Sequence, residues 1–349
     1  MSNSIIDYLD ELASSAEPRG GYQACLLVDG ETAVRSSGGV DGLGRPMGDA
    51  STVGMYCSTK TLTVLLVAIL VSSGELSFDD CVGDLLPAVE GQTASTTILD
   101  LLSHRSGIAR PSMYEATTLR PEERLAVALS STSVLPLGGD QSRYTEAAEW
   151  IVLSACVEAA SGRPFRELVD SEIVQHHGAL DFDLDGPSDG RRRIARAANP
   201  PFRPLLIEET DQLSFTDNPG YGGFCTTRAL ANVLEEFRVA LSGVSDDALR
   251  ISPSAAKVVL SGLAPRFDLT FRRPCSFSAG FLAHLSGHGF GSALSDYAVA
   301  QVGLAGMTTA VMDPKLRISA AVHLNVLSSS IGDMLDLRRE IWSRVTRSI

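Results

Sequence analysis

Short runs of β-branched and small apolar residues lie near both ends of the chain. Residues 23–28 and 32–37 are predicted strands on either side of Asp29-Gly30, a dipeptide suited to a two-residue hairpin loop. Residues 307–312 and 318–324 have a similar composition and predict a second strand pair near the carboxyl terminus. The pattern therefore predicts an antiparallel sheet that is assembled from segments distant in sequence.

Helical spacing of apolar residues dominates the interval between the two strand pairs. The predicted helices there are residues 97–103, 121–129, 146–160, 164–174 and 226–241. Two more predicted helices lie outside it: the apolar run 62–71, which Gly74 is placed to stop, and residues 334–345. These elements predict an α/β fold of the α+β kind, an antiparallel sheet flanked by helices that carries an all-helical insertion domain.

The order of the elements divides the predicted fold into two domains. Residues 1–85 and 255–349 form a discontinuous α/β sheet domain, and residues 86–254 form a mainly helical domain. The chain of 349 residues is 44% hydrophobic and 20% charged, which is ordinary for a globular protein with a large core. We therefore expect a soluble, folded chain rather than a disordered one.

The formal net charge of −13 limits the classes of partner. Nucleic acids and anionic membranes repel such a chain, so we expect neither as a partner. The apolar run 62–71 is too short to cross a bilayer, which needs about 20 residues. The first residues contain no basic region followed by a long apolar stretch, so we expect a cytoplasmic protein without an export signal.

Six cysteines are scattered through the sequence without a metal-binding spacing. They stand at positions 25, 57, 81, 156, 225 and 275, with no C-x-x-C pair and no histidine cluster. Cys25 and Cys156 lie inside apolar strings, which is typical of reduced thiols in a protein core. We therefore expect neither a metal site nor a cofactor.

The segment 181–202 is polar and carries a cluster of arginines. They are Arg191, Arg192, Arg193 and Arg196. The first interpretation of such a charge run is a solvated loop. The alternative is a patch that docks an anion or a carrier.

Cys57-Ser58-Thr59-Lys60 stands where the helix of the run 62–71 begins. Residues three apart on a helix share a face, so the Cys57 sulfur and the Lys60 ammonium can point into the same space. Unpaired backbone N–H groups at a helix start and a neighbouring cation both lower a thiol pKa and raise the fraction of thiolate. The step is therefore a candidate activated nucleophile. The alternative is that Cys57 is a small buried apolar residue, as most free cysteines are.

Five motifs stand in a fixed order along the chain. They are the C-x-x-K step at 57–60, Leu101-Leu102-Ser103-His104-Arg105-Ser106-Gly107, Tyr144-Thr145-Glu146, Gly220-Tyr221-Gly222-Gly223, and Gln301-Val302-Gly303-Leu304-Ala305-Gly306 with Asp313-Pro314 after it. In this order they resemble the serine β-lactamase and penicillin-binding-protein-like superfamily, in particular its class C β-lactamase and esterase or transacylase branch. The resemblance implies the β-lactamase/transpeptidase-like fold, with the active site in the cleft between the two domains.

Taken residue by residue, the resemblance implies roles in acyl transfer. Cys57 occupies the position of the family's nucleophilic serine, and Lys60 and Tyr144 form the proton-transfer pair. Backbone N–H groups of Cys57 and of the strand around Leu304 would hold the oxyanion. The expected substrate-binding residues are Glu146, Gln301, Gly303 and Leu304.

Three positions depart from the pattern of the family that the chain resembles. Cysteine replaces serine at 57, Glu146 replaces an asparagine, and Gln301 replaces a lysine or histidine that recognises a substrate carboxylate. The neutral side chain at 301 argues against β-lactam binding. His288, within Gly287-His288-Gly289, is an alternative to Gln301, but it lies too far ahead of the closing turn. Tyr144 has the alternative role of a packing aromatic.

These residues favour an acyl-transfer enzyme that works through a covalent thioester on Cys57. A thiol exchanges with carrier-protein or coenzyme A thioesters, and its own acyl thioester is open to attack by amines. The leading hypothesis is therefore a biosynthetic transacylase that moves an acyl group from an ester or thioester to an amine or alcohol. One alternative is an esterase or amidase that hydrolyses a small ester or amide. Another is a non-catalytic homologue that binds a ligand in the same cleft.

Overall fold

A computed structural model describes residues 3–16, 19–130, 133–177, 182–183, 194–195, 218–242, 249–326 and 330–349. The arginines of segment 181–202, positions 191–193 and 196, lie outside the described residues. Both interpretations of that segment therefore stay predictions.

The strands of the described chain form a large sheet and a small one. In chain order they are β1 (Gly21–Val28), β2 (Glu31–Gly39), β3 (Thr52–Gly54), β4 (Gln141–Ser142), β5 (Phe182–Asp183), β6 (Ile194–Ala195), β7 (Phe224–Cys225), β8 (Arg266–Asp268), β9 (Arg273–Phe277), β10 (Leu282–Ala283), β11 (Val299–Val302), β12 (Thr308–Asp313) and β13 (Ile318–Leu324). The large sheet has the order β2-β1-β13-β12-β11-β10-β9-β8-β4, in which only the pair of β4 with β8 is parallel. The small sheet has the order β5-β7-β3-β6.

Helices cover both faces of the large sheet. In chain order they are α1 (Asn3–Ser15), α2 (Lys60–Ser73), α3 (Val82–Leu85), α4 (Gly91–Ala94), α5 (Ile98–Leu102), α6 (Met113–Thr118), α7 (Pro121–Leu129), α8 (Ala148–Ser161), α9 (Phe165–Leu168), α10 (Gln175–His177), α11 (Thr227–Leu241), α12 (Pro253–Leu260) and α13 (Ile331–Arg347). One core layer includes buried residues of α2, α8, α11 and α12, and a second packs α1 and α13 against the opposite face. The large sheet therefore has apolar side chains on both faces, because both faces are covered by helices.

The predicted hairpin near the amino terminus is present. Asp29 and Gly30 both have positive φ, at 52° and 83°, as a two-residue loop with the twist of a hairpin requires. Strand β1 pairs on its other side with β13, and Leu26 stands opposite Ala320. The predicted assembly of the sheet from distant segments is therefore correct.

The predicted helices are also present, and their ends carry recognisable caps. Thr97 and Asp100 form a capping box at the start of α5, and the Thr226 side chain accepts a hydrogen bond from the backbone at the start of α11. Gly74 and Gly162 end α2 and α8 in the left-handed conformation. Capping residues act on the backbone within a few positions, so helix ends of this kind can be predicted directly from the sequence.

Several elements were not predicted. Helix α1 was not predicted, although its apolar residues Ile5, Leu9 and Ala13 recur at helical spacing. The short strands β8 to β11 have no clear apolar period, and β8 and β9 each include an arginine. The interval 86–254, predicted as a helical domain, also contributes the short strands β4 to β7. The predicted boundary at residue 255 falls inside α12.

Helix α2 is the central helix of the core. The segment Tyr56–Ser73 is 18 residues long with a mean hydropathy of 1.5, which by length and composition would be enough to cross a membrane. In the folded chain 78% of it is buried. Packing against the sheet and its neighbouring helices therefore accounts for the apolar character of α2, and its first turn is held in a fixed place.

Candidate active site

A 3₁₀ turn at Tyr56–Thr59 leads directly into α2 and presents Cys57. A 3₁₀ turn has three residues per turn, so Cys57 and Lys60 lie on the same side of the chain. Ser58 points elsewhere, because its Oγ donates a buried hydrogen bond of 3.0 Å to the carbonyl oxygen of Thr308. Tyr56 has a φ of 49°, in the left-handed region that non-glycine residues rarely enter. The turn thus separates the two neighbouring nucleophiles, Cys57 and Ser58.

A cavity of about 410 Å³ lies over this turn. Six of the seven predicted site residues line it: Cys57, Tyr144, Glu146, Gln301, Gly303 and Leu304. The cavity wall also includes apolar side chains from β10 and α13, among them Leu282, Met334 and Leu335. Residues from both predicted domains therefore meet at one mostly apolar site.

Lys60, the seventh predicted residue, lies beneath the cavity and is fully buried. Its Nζ donates to the carbonyl oxygens of Gly220, at 2.9 Å, and Glu146, at 3.2 Å. A Cβ at position 220 would meet the Glu146 carbonyl oxygen at 2.1 Å, so only glycine allows this approach. Nζ also lies 5.2 Å from the ring centroids of Tyr144 and Trp150. Lys60 thus connects the C-x-x-K step to the motif that contains Glu146 and to the motif that begins at Gly220.

Tyr144 lines the same cavity as Cys57. Desolvation raises the pKa of its phenol well above the ordinary value, and the nearby Cys57 thiol and Glu146 carboxylate add to the rise. Tyr144 is therefore a neutral phenol near neutral pH.

Asp268, which the sequence analysis missed, fixes the backbone of Tyr144. Its buried carboxylate accepts the Tyr144 N–H at 2.8 Å and the Ser142 hydroxyl at 2.9 Å. The other carboxylate oxygen accepts the backbone N–H groups of Thr270 and Phe271, both at 2.9 Å. Asp268-Leu269-Thr270 is a plausible turn in the sequence, but nothing there links it to a tyrosine 124 residues earlier.

A buried pair of His104 and Glu149 supports Tyr144 from behind. The His104 and Tyr144 ring centroids are 4.6 Å apart. His104 Nδ1 lies 2.5 Å from a Glu149 oxygen, and the hydroxyls of Ser106 and Thr145 donate to the same carboxylate at 2.6 and 2.9 Å. The string that contains His104 therefore positions the tyrosine without lining the cavity.

The closing strand brings the remaining predicted residues to the cavity. Gln301, on β11, is buried and its Nε2 donates to the carbonyl oxygen of Gly280. The Gly303 N–H donates to the Thr308 carbonyl oxygen at 2.6 Å, and a Cβ at 303 would meet the Met55 carbonyl oxygen at 2.8 Å. Glycine is thus needed where the closing strand touches the nucleophile turn.

Thr308 and His323 form a buried polar contact behind that turn. The Thr308 hydroxyl donates to the Gly54 carbonyl oxygen at 2.8 Å, so His323 Nδ1, also at 2.8 Å, is the donor to this hydroxyl. His323 Nε2 is buried and has no hydrogen-bond partner among the described residues. Burial lowers the pKa of His323 to about 3, which keeps the ring neutral.

Three further residues with polar side chains line the cavity: Arg273 and Arg338, which the sequence does not indicate as functional, and His288, the alternative to Gln301. Burial and the two neighbouring arginines lower the pKa of His288 to about 4. Burial, with a contribution from Arg273, lowers the pKa of Arg338 to about 10, so it stays charged at neutral pH. His288 and Gln301, the two alternatives for one family position, both line the cavity.

The cysteines other than Cys57 do not line this cavity. All six are free thiols, and burial raises the pKa of Cys25 and Cys275 to about 11 and that of Cys156 to about 12. Within the described ranges, no group of three or more His, Cys, Asp or Glu side chains is placed to hold a metal ion. Cys57 is therefore the thiol that a substrate in the cavity would meet.

Comparison with known sequences identifies related proteins. The profile of the family described as Beta-lactamase matches residues 9–341. The esterase EstB of Burkholderia gladioli is 30% identical over 184 residues, a match that spans 46% of this chain and 46% of EstB. The chain thus spans about half the length of this curated relative.

Solved structures share the fold over nearly the whole chain. A penicillin-binding protein homologue from Caulobacter crescentus has a TM-score of 0.79 at 20% identity, covering 100% of this chain and 99% of its own. EstCE1, titled a hydrolase with promiscuous acyltransferase activity, has a TM-score of 0.75 at 15% identity and covers 98% and 99%. The predicted mixed fold, a large sheet flanked by helices, is confirmed.

Proposed function

The chain belongs to the beta-lactamase family, and from this premise we propose that it is an acyl-transfer enzyme with Cys57 as its nucleophile. The observation that carries the proposal is that Cys57 and Tyr144 line the same substrate-sized cavity, where the two groups influence each other electrostatically. The Lys60 ammonium lies 5.2 Å from the centre of the Tyr144 ring. The names of EstB and EstCE1 support acyl chemistry as the reaction class.

In the proposed first step, the Cys57 sulfur attacks the carbonyl carbon of an ester or thioester donor. The new S–C bond forms as the bond to the leaving group breaks. The thiol proton moves to the phenol oxygen of Tyr144, while the phenol proton moves to the leaving oxygen or sulfur. The tyrosine is thus neutral before and after the step, in keeping with its raised pKa.

Positive charge and backbone donors stabilise the transition state in this scheme. The Lys60 ammonium, held by two carbonyl oxygens, stabilises negative charge that develops on the phenol and the sulfur. The N–H groups of Cys57 and Leu304 are the proposed oxyanion donors, because both residues line the cavity. The hydrogen bond from the Gly303 N–H to the Thr308 carbonyl oxygen holds the backbone next to Leu304, the second proposed oxyanion donor, in place.

The proposed second step transfers the acyl group to an amine or alcohol. A nucleophile attacks the thioester, its proton returns through Tyr144 to the sulfur, and Cys57 is released as a thiol. A carrier-protein or coenzyme A thioester is the proposed donor class, because thiol exchange with such donors is nearly isoenergetic. Transfer in water requires that the acceptor be positioned, which the apolar cavity wall favours by excluding water.

A second candidate function is hydrolysis of a small ester. The relative EstB, which is named an esterase, favours it. The first step is then the same, and water takes the place of the acceptor in the second.

The test is intact-mass spectrometry of the protein with ester and thioester donors, followed by product analysis as amine concentration rises. The proposal predicts a mass increase equal to the acyl group on Cys57, absent in Cys57→Ala and retained in Ser58→Ala. Amide product that rises with amine concentration supports the transacylase. Free acid as the sole product at saturating amine supports the esterase, and no adduct with any donor contradicts acyl chemistry on Cys57.

A further inference from the structure

We infer that Thr308 and His323 are positioning residues for the proposed oxyanion hole, and that they set the distance between its two backbone donors. The inference rests on the proposed acyl transfer, in which the N–H groups of Cys57 and Leu304 hold the oxyanion. These donors come from different segments, the 3₁₀ turn before α2 and the turn after β11. Their separation therefore depends on the contacts that join the two segments.

Thr308, the first residue of β12, is fully buried and forms hydrogen bonds with both segments. Its carbonyl oxygen accepts the Gly303 N–H at 2.6 Å, next to one proposed donor, and the Ser58 hydroxyl at 3.0 Å, next to the other. Its own hydroxyl donates to the Gly54 carbonyl oxygen at 2.8 Å, at the end of the strand before the nucleophile turn. Thr308 thus connects the closing strand to the nucleophile turn.

His323 fixes the orientation of the Thr308 hydroxyl. The two residues face each other on the paired strands β12 and β13, and His323 Nδ1 lies 2.8 Å from the hydroxyl oxygen. The single hydroxyl proton goes to the Gly54 carbonyl oxygen, so the ring must donate from Nδ1. Burial keeps the ring neutral by lowering its pKa to about 3, and its one N–H is therefore at Nδ1.

The second nitrogen of His323 indicates that packing alone does not account for a histidine here. The ring is fully buried, and Nε2 has no hydrogen-bond partner among the described residues. A buried nitrogen without a partner costs free energy that an apolar side chain would avoid. The other residues of β13, in the sequence ISAAVHL, are apolar or small. A need for the Nδ1 donor accounts for the histidine at this position.

An error in the separation of the two donors affects the transition state more than the bound substrate. Apolar contacts with the cavity wall hold the substrate before reaction. The carbonyl oxygen gains charge and leaves the plane of the ester only as the S–C bond forms, so its hydrogen bonds then depend on where the donors stand. Loss of the contacts made by Thr308 should therefore slow acylation without weakening substrate binding.

The experiment measures pre-steady-state acylation of Cys57 by nitrophenyl pentanoate, through release of nitrophenol. Thr308→Val keeps the shape of the side chain and removes the hydroxyl. It should lower the maximal acylation rate by about tenfold to a hundredfold, with little change in the donor concentration that gives half of that rate. Thr308→Ser keeps the hydroxyl and should restore most of the rate. Thr309→Val is the matched control, because the next side chain along β12 points to the opposite face, near α13.

His323 is tested in the same way. His323→Leu removes the donor and should slow acylation about as much as Thr308→Val, and the double variant should lose little more than either. His323→Asn places an amide N–H near the position of Nδ1 and should keep most of the rate. A purely structural role predicts instead that, per folded molecule, leucine and asparagine at position 323 give the same rate.

Pentanal tests the geometry of the oxyanion hole without turnover. The Cys57 sulfur adds to the aldehyde carbon and the thiol proton passes to the carbonyl oxygen, which then lies where the oxyanion would stand. Thr308→Val should weaken pentanal binding by about tenfold or more. Ser58→Ala decides the matter if the other variants fail to fold. It removes one hydrogen bond to Thr308, and acylation of Cys57 should still occur but about threefold to tenfold more slowly.

Unchanged acylation in Thr308→Val or in His323→Leu contradicts the positioning role of that residue and leaves the proposed function standing. If no ester acylates Cys57 in the wild type, the proposed function fails and pentanal decides the inference alone. Weaker pentanal binding in Thr308→Val then supports the positioning pair. Equal binding in the two proteins, or none in either, contradicts it.

Discussion

The Lys60 ammonium lies 5.2 Å from the centroid of the Tyr144 ring, and its hydrogen bonds go to the carbonyl oxygens of Glu146 and Gly220. The positive charge of Lys60 therefore interacts with Tyr144 electrostatically, across the distance to its aromatic ring. Two backbone carbonyl oxygens hold the Lys60 ammonium in place. Its position relative to Tyr144 is therefore fixed, and so is the electrostatic field that it exerts there. We therefore expect Lys60 and Tyr144 to act as one functional unit rather than as two independent groups.

The first prediction follows from that unit. Lys60→Ala and Tyr144→Phe should each lower kcat/KM by about a hundredfold to ten-thousandfold, because each removes the same proton transfer. The double variant should lose little more than either single variant. Steady-state kinetics of the four proteins measure this, with circular dichroism as the control for folding. Losses that multiply would contradict a shared role.

The second prediction concerns thiol reactivity. Iodoacetamide should modify Cys57 before Cys25, Cys156 or Cys275, because burial raises the pKa of those three thiols. Peptide mass spectrometry over a time course measures the order, and activity should fall in step with modification of Cys57. Cys81→Ser, which changes a partly exposed thiol elsewhere, is the control and should not alter the rate of inactivation. Substrate turnover that persists after complete modification of Cys57 would refute its role.

The third prediction is a loss of stability in acid. His323 has a folded-state pKa of about 3, below the ordinary value of 6.5, so the unfolded chain binds this proton first as pH falls. Its contribution to the free energy of unfolding is full above pH 6.5 and decreases by about 1.4 kcal/mol per pH unit below it. Denaturant unfolding of wild type and His323→Asn between pH 7 and 4.5 compares the slopes.

His323→Asn should show a shallower decline with pH, whatever its stability at pH 7. His284→Asn is the control, because His284 is exposed and its left-handed backbone suits asparagine. Parallel curves for wild type and His323→Asn would mean that His323 does not titrate on unfolding.

The fourth prediction tests the support behind Tyr144. Glu149→Ala should lower the free energy of unfolding by about 3–5 kcal/mol, because it leaves the polar groups around His104 buried without their acceptor. Activity should also fall, since the His104 ring packs against Tyr144. Thermal and chemical denaturation measure the first effect. Glu340→Ala, in a partly exposed ion pair on α13, is the control and should have a small effect.

The sequence predicted the parts of the site that local spacing determines. Cys57 and Lys60 stand three positions apart at the start of an apolar run, and that spacing predicts that they share a face of the turn. In the structure Cys57 lines the cavity, whereas Lys60 is fully buried and does not line it. Local sequence likewise indicates two helix ends. Thr97 and Asp100 mark the start of α5, and Gly74 marks the end of α2. Tyr144 and Gln301 were found only through the order of motifs, because no local pattern distinguishes them from packing residues.

Other contacts of the site depend on tertiary structure and could not be predicted. Asp268 meets the Tyr144 backbone across 124 residues of sequence, and Arg338 meets His288 across 50. Asp268 and Arg273 lie on β8 and β9, which are three and five residues long and include polar side chains, so these strands have little apolar period. The cavity wall between sheet and α13 was therefore absent from the sequence analysis.

The pairing of β1 with β13 has a consequence for synthesis on the ribosome. Strand β1 emerges among the first residues, but its partner Ile318–Leu324 is made almost 300 residues later. Until then β1 has only β2 beside it, and its other edge offers unpaired backbone groups to any extended segment. Chains that stall before β13 should accordingly be prone to aggregation. Completion of the sheet, and with it of the closing strand over Cys57, waits for the last part of the chain.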